Sequence, residues 1–67
     1  MPFIQVTMVS GRTTEQKHDL IAKVSAAVSD ALDTPVDAVR VAIYEVSPDE
    51  WGIGGRPYGE VRGGQAS

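Results

Sequence analysis

Reactive side chains are few in this sequence of 67 residues. It has no cysteine, and His18 is its single histidine, so disulfides, thiolate metal sites and histidine clusters are excluded and no metal is expected. Pro2 stands out because removal of Met1 would leave a terminal secondary amine, whereas a retained Met1 makes its nitrogen a tertiary amide. Such an amine can act as a general base if it is neutral near the working pH. On composition alone, however, Pro2 is an ordinary second residue at a strand edge.

The elements that would position Pro2 follow from the apolar periodicity. Residues Pro2–Val9 alternate between two faces, as in a half-buried strand that begins at the N-terminus. Thr13 and, three residues later, Gln16 have the form of a capping box, and apolar residues then recur at helical spacing. One amphipathic helix is therefore predicted from Thr14 to Leu32.

The helix is predicted to end before Pro35, because proline lacks a backbone donor and disfavours helical geometry in the residue that precedes it. Residues Val39–Val46 form the second predicted strand, and both of its faces carry apolar side chains. A helical crossover of this length joins parallel strands with right-handed topology. The predicted fold class is therefore α+β, with a parallel two-stranded sheet and one long helix on one of its faces.

The last third of the chain is rich in turn residues. Trp51–Gly55 is predicted to be an aromatic residue followed by a flexible loop, and its glycines do not fit the dinucleotide-binding spacing. Arg56–Tyr58 is predicted to form a short hairpin arm. The glycine-rich segment Gly59–Ser67 is predicted to be a loosely ordered tail of a single domain that comprises residues 1–67.

The size of the chain limits the core that it can bury. A domain of this length buries little apolar surface on its own, and oligomerisation is one way to stabilise it. One helix covers one face of a two-stranded sheet, yet the other face also carries apolar residues such as Phe3 and Val46. We therefore expect a homo-oligomer in which another subunit completes the fold.

Charge and hydropathy restrict the partners of the chain. The net charge is −3, and six Lys and Arg residues are scattered singly among nine Asp and Glu residues, so no basic stripe exists for a nucleic acid. No apolar run approaches the roughly 20 residues of a membrane span, and the N-terminus lacks the pattern of a signal peptide. We expect neither a nucleic-acid nor a membrane partner, and a cytoplasmic location.

Several motifs occur together in a characteristic order. They are Pro2 at the start of a strand, Gly11-Arg12 at its end, Glu15-Gln16-Lys17 at the helix start, Pro35 followed by Val36-Asp37-Ala38-Val39-Arg40-Val41, and Gly52-Ile53-Gly54-Gly55. With these motifs the chain resembles the 4-oxalocrotonate tautomerase family from Pro2 to about Val61. The resemblance implies the β-α-β tautomerase unit and an assembly of dimers into a hexamer, a trimer of dimers.

The resemblance also implies roles for four residues. The N-terminal proline of the family matches Pro2, its two arginines match Arg12 and Arg40, and the aromatic residue before its Gly-Ile-Gly-Gly loop matches Trp51. In the family this aromatic position most often holds phenylalanine. Trp51 would keep the apolar wall of the active site there and make it larger. Without the resemblance, we would interpret Arg12 as a solvated charge in a turn, Arg40 as an ion-pair partner at an interface and Trp51 as an interface anchor.

The activity that the resemblance implies is a tautomerisation without a cofactor. Pro2, as general base, would carry a proton from the 2-hydroxyl group to a distant carbon of a small 2-hydroxy-dienoate such as 2-hydroxymuconate, in aromatic catabolism or in a biosynthetic pathway. Arg12 and Arg40, from different subunits, would bind the carboxylates and the 2-oxygen through their planar donor groups. Burial beside Trp51 and the nearby cationic arginines would lower the pKa of Pro2 towards neutrality.

Two other functions remain open on the sequence alone. In the first, Pro2 stays protonated and serves as an acid in hydration, dehalogenation or decarboxylation of an unsaturated or 3-oxo acid, although no residue that activates water is assigned. In the second, the chain is a non-catalytic oligomeric protein that captures small carboxylic acids, which a retained Met1 would favour.

Overall fold

Two parallel strands joined by a long helix form the centre of the fold. In this computed structural model, which describes residues 1–61 and Val61 by its backbone only, β1 is Phe3–Val9, α1 is Thr14–Leu32 and β2 is Arg40–Val46. The strands pair in parallel with Phe3 opposite Arg40 and Val9 opposite Val46. The predicted β-α-β arrangement is confirmed.

Local interactions set both ends of α1. The Thr13 hydroxyl accepts from the Gln16 backbone N–H, and the Gln16 side chain accepts from the Thr13 N–H, each at 3.0 Å, which is the predicted capping box. At the other end Asp33 has a left-handed backbone (φ 52°, ψ 50°) and donates its N–H to the carbonyl of Ser29. The helix therefore spans the predicted residues.

The second strand starts one residue later than predicted. Residues Val36–Ala38 form one turn of 3-10 helix, and the N–H of Val39 closes this turn by donating to the Val36 carbonyl at 3.1 Å. Since that bond uses the Val39 N–H, pairing with β1 begins at Arg40.

The helix covers one face of the sheet and leaves the other open. On the covered face, Lys17 of α1 reaches Glu45 of β2, and Ile4 and Val6 of β1 are half-buried. On the open face, Phe3 is 62% exposed and Tyr44 51% exposed. Within the described part of the chain, Val39, at 8% exposure, is the only buried apolar residue. The isolated chain thus has almost no core.

The C-terminal hairpin is more regular than predicted. Gly52–Ile53 (β3) and Arg56–Pro57 (β4) pair antiparallel, so half of the predicted flexible loop is a strand. Gly54 and Gly55, with φ values of 60° and 82°, form the tight turn, which needs positive φ at both positions. Tyr58 starts a short helix, α2 (Tyr58–Val61), instead of belonging to the hairpin arm.

The predicted tail overlaps this short helix. Its first residues, 59–61, lie in α2, and residues 62–67 are outside the described part of the chain. Among residues 1–61, no helix has the length and apolar character that crossing a bilayer would require.

The left-handed cap at Asp33 predicts a stabilising substitution. Asp33→Gly removes the side chain that disfavours positive φ, so we expect the free energy of unfolding to rise by about 0.5–1 kcal/mol. Asp30→Gly is the matched control, because the same change in the exposed helix interior should lower stability by about 0.3 kcal/mol. Urea unfolding at one fixed protein concentration measures both variants. Equal effects of the two substitutions would contradict the cap assignment.

Candidate active site

Pro2 and Arg40 lie side by side at the amino edge of the sheet. The carbonyl of Pro2 accepts a hydrogen bond from the backbone N–H of Arg40 at 3.0 Å, one residue before Phe3 pairs with Arg40. Pro2 is half-buried, whereas Met1 is 84% exposed. The hydrogen bond from Arg40 therefore fixes the backbone of Pro2, the candidate base.

The side chain of Arg40 is held by the turn that precedes it. Its Nη1 donates to the carbonyl of Asp37 at 2.6 Å and to the carbonyl of Val39 at 3.4 Å. Strand alternation places Arg40 on the open face with Phe3, while Pro2 belongs to the opposite face. A guanidinium has five N–H donors, and both bonds use Nη1, so the side chain can be oriented by the turn and still bind an anion.

Arg12 lies at the other end of β1. The loop after the strand begins with the Ser10 N–H, which donates to the Val46 carbonyl at 2.9 Å, and turns at Gly11, whose φ is 135°. Thr13, the cap of α1, follows directly, so Arg12 is fixed between a strand end and a helix cap.

A cleft of about 320 Å³ opens beside Arg12, between the end of β1 and the first turns of α1. It combines apolar and charged groups, which suits an anionic ligand with a hydrocarbon part. The lining residues are Met8, Arg12, Gln16, Lys17, Asp19, Leu20 and Lys23.

Two ion pairs adjoin this cleft, and they differ in exposure. Lys17 Nζ lies 2.9 Å from Glu45 Oε1, with side-chain exposures of 26% and 31%. Lys23 lies 2.9 Å from Asp19, with exposures of 78% and 60%. The hydrogen bond from Lys23 to Asp19, and secondly the charge of that carboxylate, raise the pKa of Lys23. Water and salt screen the second pair more strongly than the first.

The pairing of Lys17 with Glu45 was not predicted from the sequence. Glu45 stands on the same strand face as the apolar residues Val41 and Ile43, and an acid in such a position needs a partner on the element that covers it. That placement was the available signal. The sequence alone does not say which basic residue of α1 would meet it.

Trp51 follows β2, at the end of the sheet where Arg12 also lies. It ends a 3-10 turn formed by Pro48–Glu50, is half-buried, and its carbonyl accepts a hydrogen bond from the N–H of Tyr58 at 2.7 Å. This bond closes the base of the β3–β4 hairpin, so Trp51 is anchored by its backbone.

A single chain does not bring the four predicted site residues together. Pro2 and Arg40 are at the amino edge, and Arg12 and Trp51 follow the carboxyl ends of the strands. The seven residues of β1 span about 23 Å at 3.3 Å per residue. Hydrogen-bonded contact between Pro2 and Arg12 within one chain is therefore impossible, and their predicted cooperation requires two copies.

Metal ligands are not clustered in this region. Across residues 1–61, no group of three or more His, Cys, Asp or Glu side chains is arranged to hold a metal ion.

Known proteins match nearly the whole length of this chain. A model described as tautomerase enzyme matches residues 2–60. A 2-hydroxymuconate tautomerase of Pseudomonas sp. (strain CF600) is 47% identical over 62 residues, 92% of this chain and 98% of that protein. The structure of a 4-oxalocrotonate tautomerase homologue in the tomaymycin biosynthetic pathway has a TM-score of 0.89 and 40% identity, covering 92% of this chain and 95% of the other. A heterohexamer 4-oxalocrotonate tautomerase from Chloroflexus aurantiacus J-10-fl has a TM-score of 0.87 and 44% identity, covering 92% of this chain and 100% of the other.

The cap next to Arg12 predicts a measurable loss of stability. Thr13→Ala removes the hydroxyl that accepts from Gln16, so the free energy of unfolding should fall by about 1 kcal/mol. Thr14→Ala, one residue later and inside the helix, should change stability by less than about 0.5 kcal/mol. Thermal and urea unfolding measured at equal protein concentration test this difference. Equal losses in both variants would mean that the capping box contributes nothing.

Proposed function

This chain belongs to the tautomerase family, and we propose that it is an isomerase that moves a proton between oxygen and carbon of a small 2-hydroxy-dienoate. The proposal is supported by the 47% identity to a 2-hydroxymuconate tautomerase. The observation that carries it is the placement of Pro2 and Arg40 at one end of the strands and of the Arg12 cleft at the other. Two copies arranged head to tail would join these halves into a site with a base and two cations.

Pro2 is the proposed general base. Once Met1 has been removed, its neutral amine takes the proton of the 2-hydroxyl group and later delivers it to a distant carbon, which leaves a conjugated 2-oxo acid. Contact with apolar Trp51 and with the cationic arginines would disfavour the protonated amine, and both effects lower the pKa of Pro2. The amine would then be neutral when substrate arrives.

Arg12 and Arg40 are the proposed substrate-binding cations. Arg40 is oriented by the carbonyl of Asp37, next to the backbone of Pro2, and suits the 2-oxygen and the neighbouring carboxylate. Arg12 borders the cleft and suits the distal carboxylate. As negative charge develops on the 2-oxygen, a nearby guanidinium stabilises it, because it need not reorganise as water does.

The proposed assembly is a homohexamer built from three dimers. It is supported by the open sheet face, with Phe3 and Tyr44 more than half exposed, and by the presence of one buried apolar residue in the described chain. A relative with 44% identity is a heterohexamer. Covering the open face of each copy with another would provide the missing core, and a head-to-tail arrangement of two copies would bring Pro2 of one to Arg12 of the next.

Replacing Pro2 should lower the activity sharply. Pro2→Ala leaves a terminal primary amine in place of the secondary amine held by the proline ring, so it tests the positioned base and not the mere presence of an amine. We expect it to lower kcat/KM for 2-hydroxymuconate by about 100-fold, the usual contribution of a general base. Ketonisation is followed by ultraviolet absorbance, after mass spectrometry has confirmed that Met1 is absent. Protein with Met1 retained is the matched control, because it keeps Pro2 and every other side chain but makes the nitrogen a tertiary amide, and it should be at least as inactive as Pro2→Ala.

The pH dependence distinguishes a base from an acid at Pro2. If the neutral amine is active, kcat/KM rises with pH through the pKa of Pro2 and then levels. A rate that falls as pH rises through that pKa, or an unchanged rate in Pro2→Ala, would overturn the proposed role and leave an acid-catalysed reaction or a different base.

A site shared between copies predicts complementation of two inactive variants. Pro2→Ala and Arg12→Ala, each inactive alone, should regain activity when they are mixed, unfolded and refolded together. Random assembly gives about one quarter of sites with both residues intact if the two residues come from different copies. Refolding each variant alone is the control. If the mixture stays as inactive as its components, the two residues do not act together in a site formed by two copies.

A further inference from the structure

The cleft beside Arg12 contains two further cations that the proposed mechanism does not use, Lys17 and the more exposed Lys23. Lys17 lines the cleft together with Arg12, and its ammonium group donates to Glu45 at 2.9 Å. The side chains of Lys17 and Glu45 are 26% and 31% exposed, less than those of the Lys23–Asp19 pair, so their charges are less screened. An ammonium group has three N–H donors, and the bond to Glu45 uses one of them.

The shape and chemistry of the cleft fit one end of an unsaturated dicarboxylate. Met8 and Leu20 supply an apolar lining, and Arg12 and Lys17 supply positive charge on the same cleft. A volume of about 320 Å³ accommodates a carboxylate together with several carbon atoms of the chain that carries it. A substrate with a single carboxylate, bound by Arg40, would leave this cleft without an anion.

We infer that Lys17 is a specificity-determining residue that, with Arg12, selects substrates carrying a second carboxylate at the distal end, and that Glu45 limits this preference by competing for Lys17. The inference rests on the proposed function for the identity of the substrate. Removing the Lys17 charge should weaken binding of a dicarboxylate more than binding of a monocarboxylate. Removing the Glu45 charge should have the opposite effect, because the ammonium group then has no internal anion to satisfy.

An exposed ion pair outside the cleft supplies a control for long-range charge. Arg56 Nε lies 3.2 Å from Glu60 Oε1, neither residue lines the cleft, and their side chains are 63% and 61% exposed. Glu60→Gln and Glu45→Gln change the net charge equally, and each removes one carboxylate next to one cation. Only Glu45→Gln releases the less exposed cation. A difference between these two variants therefore reports the local effect of Lys17 and not the total charge of the protein.

The test measures binding without turnover. Isothermal titration calorimetry on the assembled full-length protein at low ionic strength gives Kd for hexa-2,4-dienedioate and for hexa-2,4-dienoate, which differ by one carboxylate. Neither probe has a 2-hydroxyl group, so the result does not depend on proton transfer by Pro2. The preference for the second carboxylate is the Kd of hexa-2,4-dienoate divided by the Kd of hexa-2,4-dienedioate. A larger ratio means stronger selection of the dicarboxylate.

We expect Lys17→Met to reduce this ratio about fivefold and Glu45→Gln to increase it about threefold, in the range of a partly screened ion pair. Glu60→Gln should change it less than about 1.5-fold. Lys17→Arg should keep most of the preference, which separates loss of charge from damage to the fold, and circular dichroism checks that Lys17→Met is folded.

Three results would overturn the inference. These are an unchanged ratio in folded Lys17→Met, equal increases in Glu45→Gln and Glu60→Gln, or a decrease in Glu45→Gln. Since each is read from equilibrium binding, it is distinguishable from failure of the proposed isomerase activity, which is read from the absorbance of 2-hydroxymuconate.

Discussion

The uncovered face of the two-stranded sheet is the constraint on which the rest of this structure depends. A single helix packs on one face, and Val39 is the one buried apolar residue among residues 1–60. A chain with so little core gains too little from apolar burial to offset the conformational entropy that folding removes. Contact with further copies would supply the missing burial. Folding and assembly are then one equilibrium, and stability depends on protein concentration.

Short-range interactions define the ends of the elements, and the candidate site is built on these ends. The bond from Arg40 to the Pro2 carbonyl fixes one edge of the sheet, and the capping box of Thr13 fixes the residue after Arg12. These contacts form within one chain, so the geometry of each half of the site in the folded protein is set by its own copy. Preorganisation of this kind lowers the entropy cost of bringing catalytic groups together.

The features that the sequence predicted well are those with local causes. The bounds of α1 follow from a capping box at Thr13 and from Pro35, both recognisable within a few residues. The start of β2 was wrong by one residue because Val39 gives its N–H to a turn. The hairpin was predicted, but its first strand was not, because glycine on both sides of Ile53 favoured a loop. The Lys17–Glu45 pair joins residues separated by 28 positions, and periodicity does not determine such contacts.

The candidate site was predictable in part, because the positions of its residues within one chain follow from the order of the elements. The order of strand, loop and helix places Pro2 and Arg12 at opposite ends of β1, and parallel pairing places Arg40 beside Pro2. The residue types and their order are visible in the sequence. Their roles rest on the family resemblance, because the contacts that would complete the site lie between copies, and the sequence of one chain does not specify the relative position of two.

The proposed assembly also has an electrostatic consequence for the base. In a separate chain, Pro2 is half-buried and lies next to Arg40, whose guanidinium is turned towards the carbonyl of Asp37. In the proposed assembly, Arg12 and Trp51 of another copy approach the amine, and both added charge and added desolvation favour its neutral form. The amine would therefore become an effective base near neutrality only after assembly. Proton transfer would be confined to the assembled site, where two guanidinium groups are in place to stabilise the charge that it produces.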